Sequence, residues 1–244
     1  MTNIKTYLVG GAVRDELLGL RSKDLDYVVV VEDAPTVEWA WTGMRDYLID
    51  QGFKIFLETP EYFTIRARFP KGHVNEKIVG DFVLARKDGP YTDGRRPDWV
   101  EAGTLEDDLR RRDFTVNALA KAEDGSIIDL FGGQADLADR RLHAVGDPRE
   151  RLTEDALRAF RAVRFAITKG FHIDDELSNA MRTLRVLDAL EQNIAAERIK
   201  DELHRCFAFD TVMTISFLTR HFPAYLPIMQ AKGIWLRPTM ETPK

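Results

Sequence analysis

The chain has 244 residues, 44% hydrophobic and 31% charged, and 35 Lys and Arg against 40 Asp and Glu leave a net charge of −5. This length can bury one large core or two smaller ones, and the composition excludes disordered or collagen-like chains. The acidic balance argues against a protein that coats nucleic acid along its surface, so any such contact falls to local basic patches: Arg95-Arg96, Arg110-Arg111-Arg112, and the spaced Arg158, Arg161 and Arg164.

In chain order, Thr6 to Val9 predicts a strand, broken by Gly10-Gly11, and Ala12 to Leu18 a short helix closed by Gly19. Leu25 to Val31 is a β-branched strand. Val37 to Ile49 has helical spacing through Trp41, Met44 and Leu48, ended by Gly52. Strands follow at Lys54 to Leu57, Phe63 to Phe69 and Lys77 to Arg86, and Lys87 to Gly103 predicts a loop. Thr104 and Asp107 have the spacing of a capping box, and Ile127 to Leu130 predicts a last short strand before Gly132-Gly133. From about Leu152 the pattern is helical throughout. Thr153 starts a run through Ala156, Leu157, Phe160 and Val163 that ends before Gly170. Further helices are predicted at about Asp174 to Leu184, Ala195 to Phe209 and Val212 to Thr219. The expected division is an α/β head over 1–148, a helical segment over 149–222 and an irregular tail over 223–244, proline-rich and carrying Trp235.

No apolar run approaches the roughly 18 residues a membrane helix needs. The opening Met-Thr-Asn-Ile-Lys-Thr has no signal-peptide pattern, so cytoplasmic residence is the expectation. The single cysteine, Cys206, excludes an internal disulfide framework or a cysteine-cluster zinc site, and its amphipathic helix predicts a small buried residue.

Asp24 and Asp26 flank Leu25 at the start of the Val-rich strand. With a side-chain period of two, both carboxylates point to one face. Like charges held so close repel, and a divalent cation removes the conflict; oxygen ligands on a strand suit Mg²⁺. An Asp pair in a solvated turn is the plainer reading of the same spacing. Gly10-Gly11, between strand and helix, lets backbone N–H groups approach a phosphate, and Arg14 one turn on can reach the same anion or pair with Asp15. Asp81, ahead of an apolar run in its strand, either joins the first two acids around metal or faces water at a strand end.

These segments have a collective likeness. Leu8-Val-Gly-Gly-Ala-Val-Arg-Asp-Glu-Leu-Leu-Gly19 followed by Lys23-Asp-Leu-Asp26 resembles the opening motif of the tRNA nucleotidyltransferase and bacterial poly(A) polymerase family, the class II enzymes of the polymerase-β-like superfamily. The resemblance continues through Gly94-Arg-Arg-Pro97, Asp108-Leu-Arg-Arg-Arg-Asp-Phe-Thr-Val-Asn-Ala-Leu119 and Ile128-Asp-Leu-Phe-Gly-Gly133. It then takes in Arg151-Leu-Thr-Glu-Asp-Ala-Leu-Arg-Ala-Phe-Arg-Ala-Val-Arg-Phe165 and Ala196-Glu-Arg-Ile-Lys-Asp-Glu-Leu203. The motifs run in family order over about 6–207.

The resemblance implies an α+β fold: a polymerase-β-like head with a mixed sheet, followed by an all-helical neck. It implies an enzyme that transfers CMP and AMP from CTP and ATP to an RNA 3′ end, most naturally that of a tRNA, with release of pyrophosphate. A poly(A) polymerase, another RNA-end transferase and a non-catalytic nucleotide- or RNA-binding relic are the alternatives. In that reading Asp24 and Asp26 hold two Mg²⁺ ions, with Asp81 in the third acidic position, and Gly10, Gly11 and Arg14 position the triphosphate. Arg112 and Asp113 contact the incoming nucleotide. Asp155 and Arg158 read the nucleobase edge, with Arg161 nearby; three apart on a helix, the first two share a face and offer both acceptor and donor. Relatives of full size continue into body and tail domains that grip tRNA, so a homodimer or a helper protein is a further expectation. His73, His143, His172, His204 and His221 form no phosphohydrolase motif and are expected at surface or packing positions.

Overall fold

A computed structural model describes residues 3–22, 24–89 and 98–234. They fall into two compact units, and the chain passes from one to the other between Gly146 and Asp147.

The first unit is built on β1 (Ile4–Val9), α1 (Gly11–Leu17), β2 (Leu25–Val31), α2 (Val37–Asp50), β3 (Lys54–Thr59), β4 (Thr64–Arg68) and β5 (Val79–Leu84). It continues with β6 (Arg86–Asp88), β7 (Val100–Ala102), α3 (Leu105–Arg110), β8 (Leu119–Lys121), β9 (Ile127–Asp129) and α4 (Gly133–Ala138). Among the described residues a seven-stranded sheet has the order β3-β4-β5-β2-β1-β8-β9. Only β2 and β5 run parallel among its described pairings; β1 with β2 and β4 with β5 are antiparallel, so the sheet is mixed. Val28 to Val31 are buried in succession because β2 lies inside the sheet with both faces covered. Val29 and Val31 meet Ala40, Met44 and Leu48, an i, i+4, i+8 stripe of α2, while Val28 and Val30 pack with Leu109 on the opposite face. Thr36 caps α2 by accepting from the Trp39 N–H at 3.2 Å. At the start of α3 both halves of the Thr104–Asp107 capping box form, although Asp is the shorter partner.

Two expectations in this unit change. The predicted loop over 87–103 contains an antiparallel ribbon, β6 with β7; the Gly94-Arg-Arg-Pro97 motif and Arg95-Arg96 lie outside the described residues. Leu119–Lys121, with no strand predicted, pairs with both β1 and β9. Three-residue strands carry too little periodicity to announce themselves.

The second unit is helical: α5 (Pro148–Glu154), α6 (Leu157–Lys169), α7 (Asp175–Met181), α8 (Leu184–Gln192), α9 (Ala196–Phe209), α10 (Thr211–His221) and α11 (Tyr225–Ala231). α6 buries Leu157, Phe160, Val163 and Ile167, and α9 buries Ile199, Leu203 and Cys206. The single helix expected from Thr153 is interrupted, since Asp155 is extended at φ −147° and ψ 101° and separates α5 from α6. The segment from Pro223, expected to be irregular, forms α11. Tyr225 is buried, packs its ring tilted 5.0 Å from that of Phe160 and donates to the Met181 carbonyl at 3.0 Å, so burial of its ring and of Ile228 orders this helix. Trp235 lies outside the described residues. No described helix is long and apolar enough to cross a membrane.

Candidate active site

The acids gather on one face of the head sheet. Asp26 and Asp81 are Cα partners across the parallel pair β2–β5, and Arg66 of β4 is the partner of Asp81 on its other side. Residues in register point the same way, so Asp26, Asp81 and Arg66 share the face opposite α2, and Asp24 shares it two residues before Asp26. Asp24, Asp81, Arg66, Arg21 and Lys77 line one cleft of about 710 Å³.

Arg66 grips Asp81 through both carboxylate oxygens, each at 2.6 Å. Among the described residues no group of three or more His, Cys, Asp or Glu stands close enough together to hold a metal ion. Of the three acids expected at an ion, Asp81 is paired through both oxygens with Arg66, and Asp26 stands beside it in register. Asp26 is exposed on the surface, yet burial among protein atoms pushes its carboxyl above the usual range, with Asp81 adding to the rise, Arg112 opposing it, and Asp24 adding a further rise. Two hard carboxylate donors two residues apart are a donor set that fits a divalent cation.

A second cluster stands across β2. Gly10 caps α1 with φ +68°, which favours glycine, and the tip of Arg112 comes within 2.6 Å of where a Cβ would stand. Arg112 donates to Asp108 Oδ2 at 3.0 Å and to the Asn117 carbonyl at 3.3 Å. Asp108 is fully buried; burial alone raises its carboxyl, but the guanidinium groups of Arg111 and Arg112 outweigh that and hold it below the usual range. Arg14 is buried too, bonded to Asp15 and to the Asn117 side chain, and Asp113 accepts from Asn117 Nδ2 at 2.9 Å and from the Phe114 N–H at 2.8 Å. Arg14 and Asp113, both expected at the nucleotide, are buried and meet through the Asn117 side chain close to Gly10 and Arg112.

In the second unit Asp155 and Arg158 do not share a continuous helical face. Asp155 accepts from the Leu157 N–H at 3.0 Å and from Arg198 Nη2 at 2.8 Å, which holds it at the helix break. Arg158 donates instead to Glu154 Oε2 at 2.8 Å and to the Arg151 carbonyl at 2.9 Å. Arg161 lies 3.6 Å from Glu202, and Arg164 binds the same carboxylate. Arg66, Asn117, Asp108 and Arg198 went unnoticed in the sequence. A β4–β5 register would have found Arg66, while Asn117 and Asp108 lie in the Asp108–Leu119 motif without being assigned a part.

A model of the poly(A) polymerase head domain matches residues 6–143. The chain belongs to this family. The CCA-adding enzyme of Levilactobacillus brevis is 39% identical over 200 residues, 82% of this chain and 45% of the relative. That of Geobacillus thermodenitrificans is 35% identical over 236 residues, 96% of this chain and 53% of its own. Among solved structures, the Bacillus stearothermophilus CCA-adding enzyme in complex with CTP superposes with a TM-score of 0.68 at 29% identity, covering 95% of this chain and 49% of the other. A tRNA nucleotidyltransferase complexed with a primer tRNA and an incoming ATP analog gives 0.69 at 27% identity, covering 94% and 59%. The chain thus spans about half the length of the curated relatives it matches. Its architecture is a polymerase-β-like nucleotidyltransferase head followed by a helical neck.

Proposed function

We propose that this family member transfers CMP and AMP from CTP and ATP to the 3′ end of a tRNA without a nucleic-acid template. The observation that carries the reading is the register of Asp26 with Asp81, beside Asp24 and across β2 from Gly10 and Arg112. The RNA 3′-oxygen forms a bond to the α-phosphorus, the bond from that phosphorus to the bridging oxygen breaks, and pyrophosphate leaves. Asp24 and Asp26 hold Mg²⁺, two ions in all, with nucleotide phosphates completing the ligands and Asp81 adding charge from the next strand. When bound, the metal supplies Lewis-acid charge and lowers the pKa of the attacking hydroxyl. Gly10 and Gly11 leave room for the triphosphate, and Arg112 fixes positive charge where negative charge develops. Arg14 and Asp113 keep that turn in place through Asn117.

Asp155 and Arg158 read the base edge as acceptor and donor, each oriented by its own partner, Arg198 and Glu154, and Arg161 extends the arginine row. The free, buried Cys206 accords with a reducing compartment, and cytoplasmic residence belongs to the same reading.

The test is incubation with Mg²⁺ and tRNAs ending before C, after C and after CC, with CTP and ATP alone and together. Addition of C, C and A in order, stopping after A, supports the reading. A long A tract replaces it with a poly(A) polymerase, and no pyrophosphate release with any tRNA sinks both.

A further inference from the structure

The acid-bearing face of the head sheet has an irregularity that the chemistry above does not use. β3 is a sheet edge, and its register against β4 shifts between Ile55 and Leu57, so that Phe56 and Leu57 together oppose Arg66. This is a β-bulge, a device that re-aims side chains and is frequent at sheet edges beside active sites. Ile55 packs into the core on the α2 side, whereas Phe56 and Leu57 remain 53% and 49% exposed. Phe56 lines the same cleft as Asp24 and Asp81, in company with Arg21 and Lys77. An exposed aromatic ring in a cleft that also holds cations is what a single-stranded nucleic acid uses, stacking its bases on the ring and running its phosphates along the charge.

The strand order assigns the ring to one ligand rather than the other. From edge to interior the face presents Phe56 on β3, Arg66 on β4, Asp81 on β5 and Asp26 on β2, and then Gly10 after β1 with Arg112 against it. With strands about 4.8 Å apart, the acids stand between the ring and the glycine turn. Attacking and leaving oxygens lie roughly in line on opposite sides of the phosphorus. If pyrophosphate departs toward Gly10 and Arg112, the hydroxyl arrives from the side of β4 and β3.

We propose that Phe56, which shares its cleft with Arg21 and Lys77, is the platform on which the terminal base of the acceptor RNA stacks. Phe56 is then a positioning residue for the acceptor and not for the incoming nucleotide. The assignment rests on the transferase reading above, but one arm of its test needs no turnover.

A tRNA transcript ending in CC and ATP serve as substrates for wild type, Phe56→Ala and Phe56→Trp. Loss of one stacked base raises the RNA KM of the alanine variant roughly 5- to 100-fold, leaves the ATP KM unchanged, and is reversed by tryptophan. In the second arm the same RNA, labelled at its 5′ end, is bound without nucleotide and followed by fluorescence anisotropy; alanine weakens binding by a similar factor and tryptophan restores it. Equal RNA affinities for wild type and Phe56→Ala overturn the platform even where the wild type turns over, and so does an equal rise in both KM values. A wild type that releases no pyrophosphate, but whose RNA affinity falls with Phe56→Ala, sinks the transferase reading and keeps the platform.

Discussion

The head and the neck both carry dense sets of carboxylates and guanidinium groups, but they dispose of the charge differently. In the neck the acids around the candidate base-reading residues each have a near cation: Asp155 has Arg198, Glu154 has Arg151 and Arg158, and Glu202 has Arg161 and Arg164. On the acid-bearing face of the head, by contrast, Asp26 has two other acids as neighbours. Asp26 sits between Asp24 and Asp81 and its carboxyl is driven upward, first by burial and then by the neighbouring acids, despite Arg112 and Arg66. A paired acid is a fixed hydrogen-bonding shape, suited to reading an edge. An acid beside other acids is a demand for a counter-ion, suited to holding metal.

The sharpest way to break this contrast is to remove the unpaired acids. Asp24→Ala with Asp26→Ala should lower turnover by on the order of 10³-fold or more, the scale set by the several kcal/mol a metal contributes to the transition state. Melting temperature should hold or rise, because repulsion is relieved; a drop in melting temperature parallel to activity would make these acids structural.

Asp108 tests the opposite case, a buried acid whose charge the fold needs. Asp108→Ala should destabilise by about 3–5 kcal/mol in urea titration, since it removes the buried carboxylate that Arg111 and Arg112 share. The sign with pH follows from a carboxyl held below its usual value. Its stabilisation is full above the unfolded pKa, about 3.9, and fades as the pH falls through the lower folded value. The stability gap between wild type and Asp108→Asn should therefore narrow on acidification, and a gap that widens contradicts the pairing.

In the neck, Asp155→Ala should raise the KM for nucleotide about 10- to 100-fold, the scale of a hydrogen bond to a charged group, and flatten the preference between CTP and ATP in single-nucleotide incorporation. A loss of turnover as deep as that of the head acids would erase the distinction between the two regions.

The smallest effect belongs to Cys206. Burial pushes its thiol up to about 12, so iodoacetamide at pH 8 should leave the native protein unmodified and label it only in urea.

The legibility of these regions in the sequence differs for related reasons. β2 and the Thr104–Asp107 capping box depend on residues within a few positions of each other, and the pattern carries them. Asp24 and Asp26 were readable as a pair because a strand alternates. What Asp81 does was not readable, since its partner Arg66 arrives through a register between strands. The break at Asp155 was hidden for the same reason. Glu-Asp-Ala-Leu-Arg continues a helical pattern well, and the extended backbone is held by Arg198, forty-three positions away. Phe56 was absorbed into a predicted strand because a bulge depends on pairing, not on the residue itself.

The most direct test of the metal assignment is Mn²⁺ binding, followed by electron paramagnetic resonance with CTP present, in wild type and in Asp24→Asn with Asp26→Asn. The wild type should take up Mn²⁺ at a saturable site that the double variant lacks, with both proteins equally folded by circular dichroism. Equal uptake by the two proteins would contradict the claim that these carboxylates carry the ion.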